Sequence, residues 1–253
     1  MQEQATGRLP EGQPVDDGRP AVGWGWGDLL MALVVMLVGG VVLALLARTV
    51  GTALSLTMEP RLISPVVYAA GLGIYLAAIL GIYLFAARRA GWAALGLRAA
   101  PRRYFALLPP LFLLELLLLA LVNSAVGRLA GGFENPQVDV LTGGQPLEAV
   151  ELGALLLLVA VVVPFAEELF FRGMLYPLLR ARMGPLAAIL LNAAIFAAVH
   201  VVYVLIPGLF VVGLFLAYLR ERSGSLWPSV ALHALQNTTA LLLINAALAS
   251  GAL

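Results

Sequence analysis

Residues 150–200 read VELGALLLLVAVVVPFAEELFFRGMLYPLLRARMGPLAAILLNAAIFAAVH, and this stretch decides the architecture. The apolar run Val150–Ala166 leads directly into Glu167-Glu168 and continues as helix towards Leu179. Arg182-Met183-Gly184-Pro185 then supplies a turn, with a Gly to end one helix and a Pro to begin the next. From Leu186 the chain is apolar again. Two greasy helices joined by a tight turn form a membrane hairpin, and its only charges away from the ends are Glu167, Glu168 and Arg172.

The rest of the chain agrees. Of 253 residues, 62% are hydrophobic and 11% charged, with a mean hydropathy of +0.97. Soluble domains carry roughly 25% charged residues, so the composition indicates an integral membrane protein. A spanning helix needs about 20 mainly apolar residues. Leu29–Ala47, Ile63–Ala87, Tyr104–Gly127, the run from Val150, residues 186–202, residues 205–220 and Leu226–Leu248 meet that need. The expected fold is therefore all-α, a polytopic bundle of about seven transmembrane helices. Residues 1–26 read as a disordered tail and 27–253 as one transmembrane domain. A three-helix part, 27–130, is separated from a four-helix part, 149–250, by the polar loop 131–148.

All fifteen basic residues are Arg, and their placement orients the bundle. With the N-terminus in the cytoplasm, Arg8, Arg19, Arg88, Arg89, Arg98, Arg102, Arg103, Arg172, Arg180, Arg182, Arg220 and Arg222 fall inside. Arg48, Arg61 and Arg128 fall outside. That asymmetry follows the positive-inside rule, and the expected location is a bacterial plasma (inner) membrane. Arg88-Arg89 and Arg102-Arg103 read as topology determinants and contacts for anionic lipid, with no nucleic-acid partner. The chain has no Cys, which excludes disulfides, thiolate metal sites and a Cys nucleophile.

Ionisable groups inside a bilayer are costly and mark functional sites by default. Glu167 and Glu168 point about 100° apart on a helix, so their roles differ. Glu168 and Arg172, four apart with the acid first, form the favourable pairing. Glu167 has no partner in its own segment, which suits a general base. A hairpin centred between Met183 and Gly184 brings His200 to the depth of Glu167, where the two can hold one water. Phe196, one turn earlier, walls that place. His233 and Asn237 share a helical face, and two donors there suit an oxyanion hole. Structural readings compete at each position: an ion pair for Glu168–Arg172, and interhelical hydrogen bonds for His200, His233 and Asn237. Glu115, mid-span in the third helix, fits none of these groups.

The string Glu167-Glu168-Leu-Phe-Phe-Arg172-Gly173, then Phe196-x-x-x-His200, then His233-x-x-x-Asn237, resembles the signature of the CAAX-protease and bacteriocin-processing (Abi) intramembrane endopeptidases. The resemblance covers about residues 150–240 and departs at Asn192, where many relatives carry a small hydroxyl residue. It implies a peptidase in which Glu167 and His200 activate water. His233 and Asn237 would stabilise the oxyanion, with Glu168, Arg172 and Phe196 in support. The family has been described both as metal-dependent and as glutamate-dependent. No cofactor is the favoured reading here; the alternative is zinc held by Glu167, His200 and His233. The expected partners are a peptide or membrane-protein substrate and the lipid bilayer. Two other functions stand beside this one: a proton-coupled transporter or relay, and a non-catalytic membrane scaffold or immunity protein.

Overall fold

A computed structural model describes residues 22–54, 64–132, 135 and 137–252. The expected tail up to Ala21, with Arg8 and Arg19, and the loop containing Arg61, lie outside the described residues. The fold is helical, at 82% helix, with no strand among the described residues. Seven principal helices follow in order: α1 (Trp26–Ala53), α2 (Pro65–Ala90), α3 (Leu108–Ala130), α4 (Ala149–Arg180), α5 (Pro185–Ala198), α6 (Ile206–Ser223) and α7 (Trp227–Ser250). Among the described residues, six apolar helices are long enough to cross a membrane, α6 being counted from Tyr203.

The shorter α5 is the point of interest. The sequence suggests a span over 186–202, but the helix stops at Ala198 after 14 residues. That is about 21 Å at 1.5 Å per residue, short of a hydrocarbon core of about 30 Å. The helix gives way to a turn at once, and His200 sits in that turn rather than on the helix. Val201 follows that turn with φ of 58°, the only positive φ of a non-glycine among the described residues. For a β-branched residue that conformation is strained.

Small residues set the helix spacing, as expected where lipid is as apolar as the protein core. A Cβ at Gly81 of α2 would lie 2.7 Å from the Ala32 carbonyl of α1, and one at Gly40 would meet Ile74. On the other side, a Cβ at Gly213 of α6 would lie 2.9 Å from Cα of Ala193 on α5. Arg89 and Asp28 pair between the end of α2 and the start of α1. The core is continuous across the two parts of the chain. Ala32, Ile82 and Ala86 pack with Leu169, Met174 and Leu178 of α4, and the Trp24 indole donates to the Met174 carbonyl at 2.9 Å.

Helix α4 is long, 32 residues, and contains two wide-turn segments, Leu157–Val162 and Leu169–Leu175. Each ends in hydrogen bonds from residue i to i−5: Val163 N–H to Leu158 O, and Tyr176 N–H to Phe171 O. The next residue in each case is a proline, Pro164 and Pro177, with no N–H to give. In this register the carbonyls left without a donor are those of Val159 and Arg172. Both are capped from outside the helix. Asn237 Nδ2 donates to Val159 O at 2.8 Å, and Arg220 Nε donates to Arg172 O at 3.0 Å. A buried carbonyl left open would cost about 1–3 kcal/mol, so these caps let the prolines stand in a membrane helix.

Candidate active site

The turn at 181–184 forms where the Gly-Pro pair predicts it, between α4 and α5. Glu167, His200, His233 and Asn237 all line one cavity of about 470 Å³. Its walls come from α2, α4, α6 and α7, from Phe196 at the end of α5, and from Asn135, Gln137, Val140 and Leu141 of the polar loop. The loop lies at the end of the bundle away from most arginines.

The two adjacent carboxylates have different surroundings, as their angular separation requires. The Glu168 side chain is 0% exposed and that of Glu167 is 16% exposed, so only Glu167 is open to the cavity. Arg172 Nη1 donates to Glu168 Oε1 at 2.9 Å, and Nη2 donates to the Gly213 carbonyl at 3.2 Å. The guanidinium also lies 4.4 Å from the ring centre of Phe196, a favourable cation–π distance. Phe196 is thus a hub, with its ring edge-on to His200 at 4.8 Å and to His233 at 5.8 Å.

His233 is held between both acids. Its Nδ1 is 3.2 Å from Glu168 Oε1, and its Nε2 is 3.8 Å from Glu167 Oε2. Since a carboxylate accepts only, Nδ1 carries the proton and Nε2 is turned towards Glu167. His200 Nδ1 lies 2.7 Å from the Phe196 carbonyl. That carbonyl also only accepts, so Nδ1 donates and the Nε2 lone pair of the neutral ring is left free. The pairing of His233 and Asn237 along one helix face takes an unforeseen form. His233 is oriented by carboxylates, and one amide hydrogen of Asn237 is committed to Val159 O.

One partner went unread in the sequence. Tyr75 of α2 extends its hydroxyl to Glu167 Oε1 at 3.5 Å, the outer limit of a hydrogen bond. Tyr68, two helical turns away, donates to the Ala154 carbonyl at 3.1 Å. The signal was two tyrosines seven residues apart in a charge-free span, where a phenol normally needs a partner. Asn192, the departure from the family pattern, is buried and donates to the Phe171 carbonyl at 2.9 Å. Glu115 is 0% exposed and neither of its oxygens has a hydrogen-bond partner among the described residues. It is not part of the cavity lining.

As zinc ligands, Glu167, His200 and His233 do not converge: no group of three His, Asp or Glu side chains among the described residues is arranged to hold a metal ion. The residues do not fit a three-ligand zinc site in this arrangement, and no step is derived through one.

No curated protein and no solved structure matches the chain. A family model does, described as "Type II CAAX prenyl endopeptidase Rce1-like", over residues 149–239. That span holds α5, α6 and the parts of α4 and α7 that bear Glu167, Glu168, Arg172, His233 and Asn237. Over this segment the chain is similar to the Rce1-like CAAX endopeptidases, the family its three motifs resemble.

Proposed function

We propose that the chain is an intramembrane endopeptidase that hydrolyses a peptide bond with water held between Glu167 and His200. The observation that carries this reading is the meeting of Glu167, His200, His233 and Asn237 in one cavity. Glu167 takes a proton from the water as its oxygen attacks the carbonyl carbon, and His200 Nε2 accepts the water's other hydrogen bond. The developing oxyanion receives a hydrogen bond from the second amide hydrogen of Asn237, and one from His233 Nε2 when that nitrogen too is protonated. Glu168 holds the other edge of His233, and Arg172 and Phe196 hold Glu168 and the two rings. When the C–N bond breaks, the proton on Glu167 passes to the leaving amine, giving a carboxylic acid and an amine. Such preorganised donors act strongly where water is scarce.

The substrate in this reading is a peptide or the end of a membrane protein, reached within the bilayer. The polar loop stands over the cavity and separates the parts 27–130 and 149–250. The N-terminus lies in the cytoplasm of a bacterial cell. A transporter or relay reading finds less support, because Glu115 is absent from the cavity lining. The test compares processed protein termini in cells carrying the parent chain, Glu167→Ala or His200→Ala. Each variant should insert normally and lose all processing; normal processing by Glu167→Ala would refute the mechanism. With the purified protein, turnover should survive chelation. Loss on chelation that is restored by zinc would replace this scheme with a metal-dependent one.

A further inference from the structure

A second cavity, of about 430 Å³, opens at the arginine-rich end of the bundle. It is lined by Trp24 ahead of α1, Ala93, Ala94 and Arg98 of the α2–α3 connection, Tyr176 and Arg180 of α4, and Arg220 and Glu221 of α6. Its charges are unevenly matched. Glu221 is consumed by Arg180, at 3.1 Å, and by the Tyr176 hydroxyl, at 2.8 Å. Arg98 and Arg220 have no ion-pair partner within 4.0 Å among the described residues, and they act on each other as like charges.

Both guanidinium groups are nevertheless fixed in place. Arg98 Nε donates to the Gly224 carbonyl at 2.8 Å, and the Arg98 carbonyl accepts from the buried Ser225 hydroxyl at 2.6 Å. Arg220 Nε is spent on the Arg172 carbonyl, as above. Two glycines with positive φ make room. A Cβ at Gly224 would lie 2.5 Å from Arg98 Nη2, and one at Gly96 would lie 3.0 Å from the Arg220 guanidinium. The chain therefore holds two guanidinium groups without an ion-pair contact among the described residues beside a cavity, with Nε anchored and the Nη edges left to bind. A pair of forks of this kind matches the oxygens of a phosphate.

We propose that this cavity, built on Arg98 and Arg220 with Arg180 at its rim, is a binding site for a phosphate group. The phosphate comes either from an anionic phospholipid headgroup or from a soluble phosphate ion. Thermal unfolding of the full-length protein in phosphatidylcholine nanodiscs reads the binding directly. Phosphatidylglycerol is incorporated in one arm, and inorganic phosphate is added in another against chloride at equal ionic strength. A rise in midpoint of about 3 °C or more is expected at saturation. A rise with phosphatidylglycerol alone assigns a lipid headgroup, and a rise with inorganic phosphate assigns the soluble ion. The shift should fall by at least half in Arg98→Gln, which leaves the Arg220 bond to the Arg172 carbonyl intact. It should persist in Arg222→Gln, which removes an exposed charge outside the cavity. No rise with either probe in the parent protein would overturn the proposal. So would an equal loss in Arg98→Gln and Arg222→Gln, since general surface charge would then account for the effect.

Discussion

Replacing Asn237 with Ala separates two jobs that one side chain performs. In the structure its Nδ2 donates to Val159 O at 2.8 Å, and Pro164 cannot supply that bond from within α4. Removing the amide leaves the carbonyl open, at a cost of about 2 kcal/mol. For a chain of this size that is a fall in unfolding midpoint of about 4–8 °C. In the Pro164→Ala background, residue 164 regains an N–H that can turn to the same carbonyl. The stability cost of Asn237→Ala should then shrink by about 1 kcal/mol or more, a coupling measurable in a double-mutant cycle. Turnover should behave differently. If the second amide hydrogen meets the oxyanion, Asn237→Ala slows the reaction by roughly 10²–10³-fold in both backgrounds. Equal stability costs in the two backgrounds would refute the cap. A rate restored by Pro164→Ala would refute the oxyanion role, since Asn237 would then act only by shaping α4.

Two further outcomes follow from packing and charge. Arg172→Ala leaves the fully buried Glu168 without its cation and should cost about 3–5 kcal/mol; detergent-extracted protein should unfold at a much lower midpoint. Glu168→Gln combined with Arg172→Met should recover part of that loss, and a cost under about 1 kcal/mol for Arg172→Ala would contradict the buried pair. Gly213→Ala places a methyl 2.9 Å from the Ala193 backbone and should destabilise by about 1–3 kcal/mol. Gly153→Ala, where an added Cβ meets nothing within 4 Å, should instead be neutral or stabilising by up to about 1 kcal/mol; equal midpoints for the two would argue against close α5–α6 packing.

The bundle was legible because its signals are local. The Gly184-Pro185 turn and the i, i+4 pairing of Glu168 with Arg172 need only neighbouring residues, and both are found as read. The end of α5 was misjudged because residues 199–205 are nearly as apolar as the helix before them, and hydropathy does not report where a helix ends within an apolar run. Pro164 and Pro177 were in plain view, yet the side chains that cap their open carbonyls lie 73 and 43 residues further along the chain, at Asn237 and Arg220.

Composition and order of residues by themselves determined a helical membrane protein with both histidines and the Glu167-Glu168-Arg172 string in its C-terminal half. Tertiary structure alone decided that Tyr75 reaches Glu167, that His233 stands between two carboxylates, and that Asn237 is bound to α4. The physical reason is the solvent. A helix in water betrays its buried face by its apolar stripe, but a helix in lipid is apolar all round, so only packing records which side chains meet.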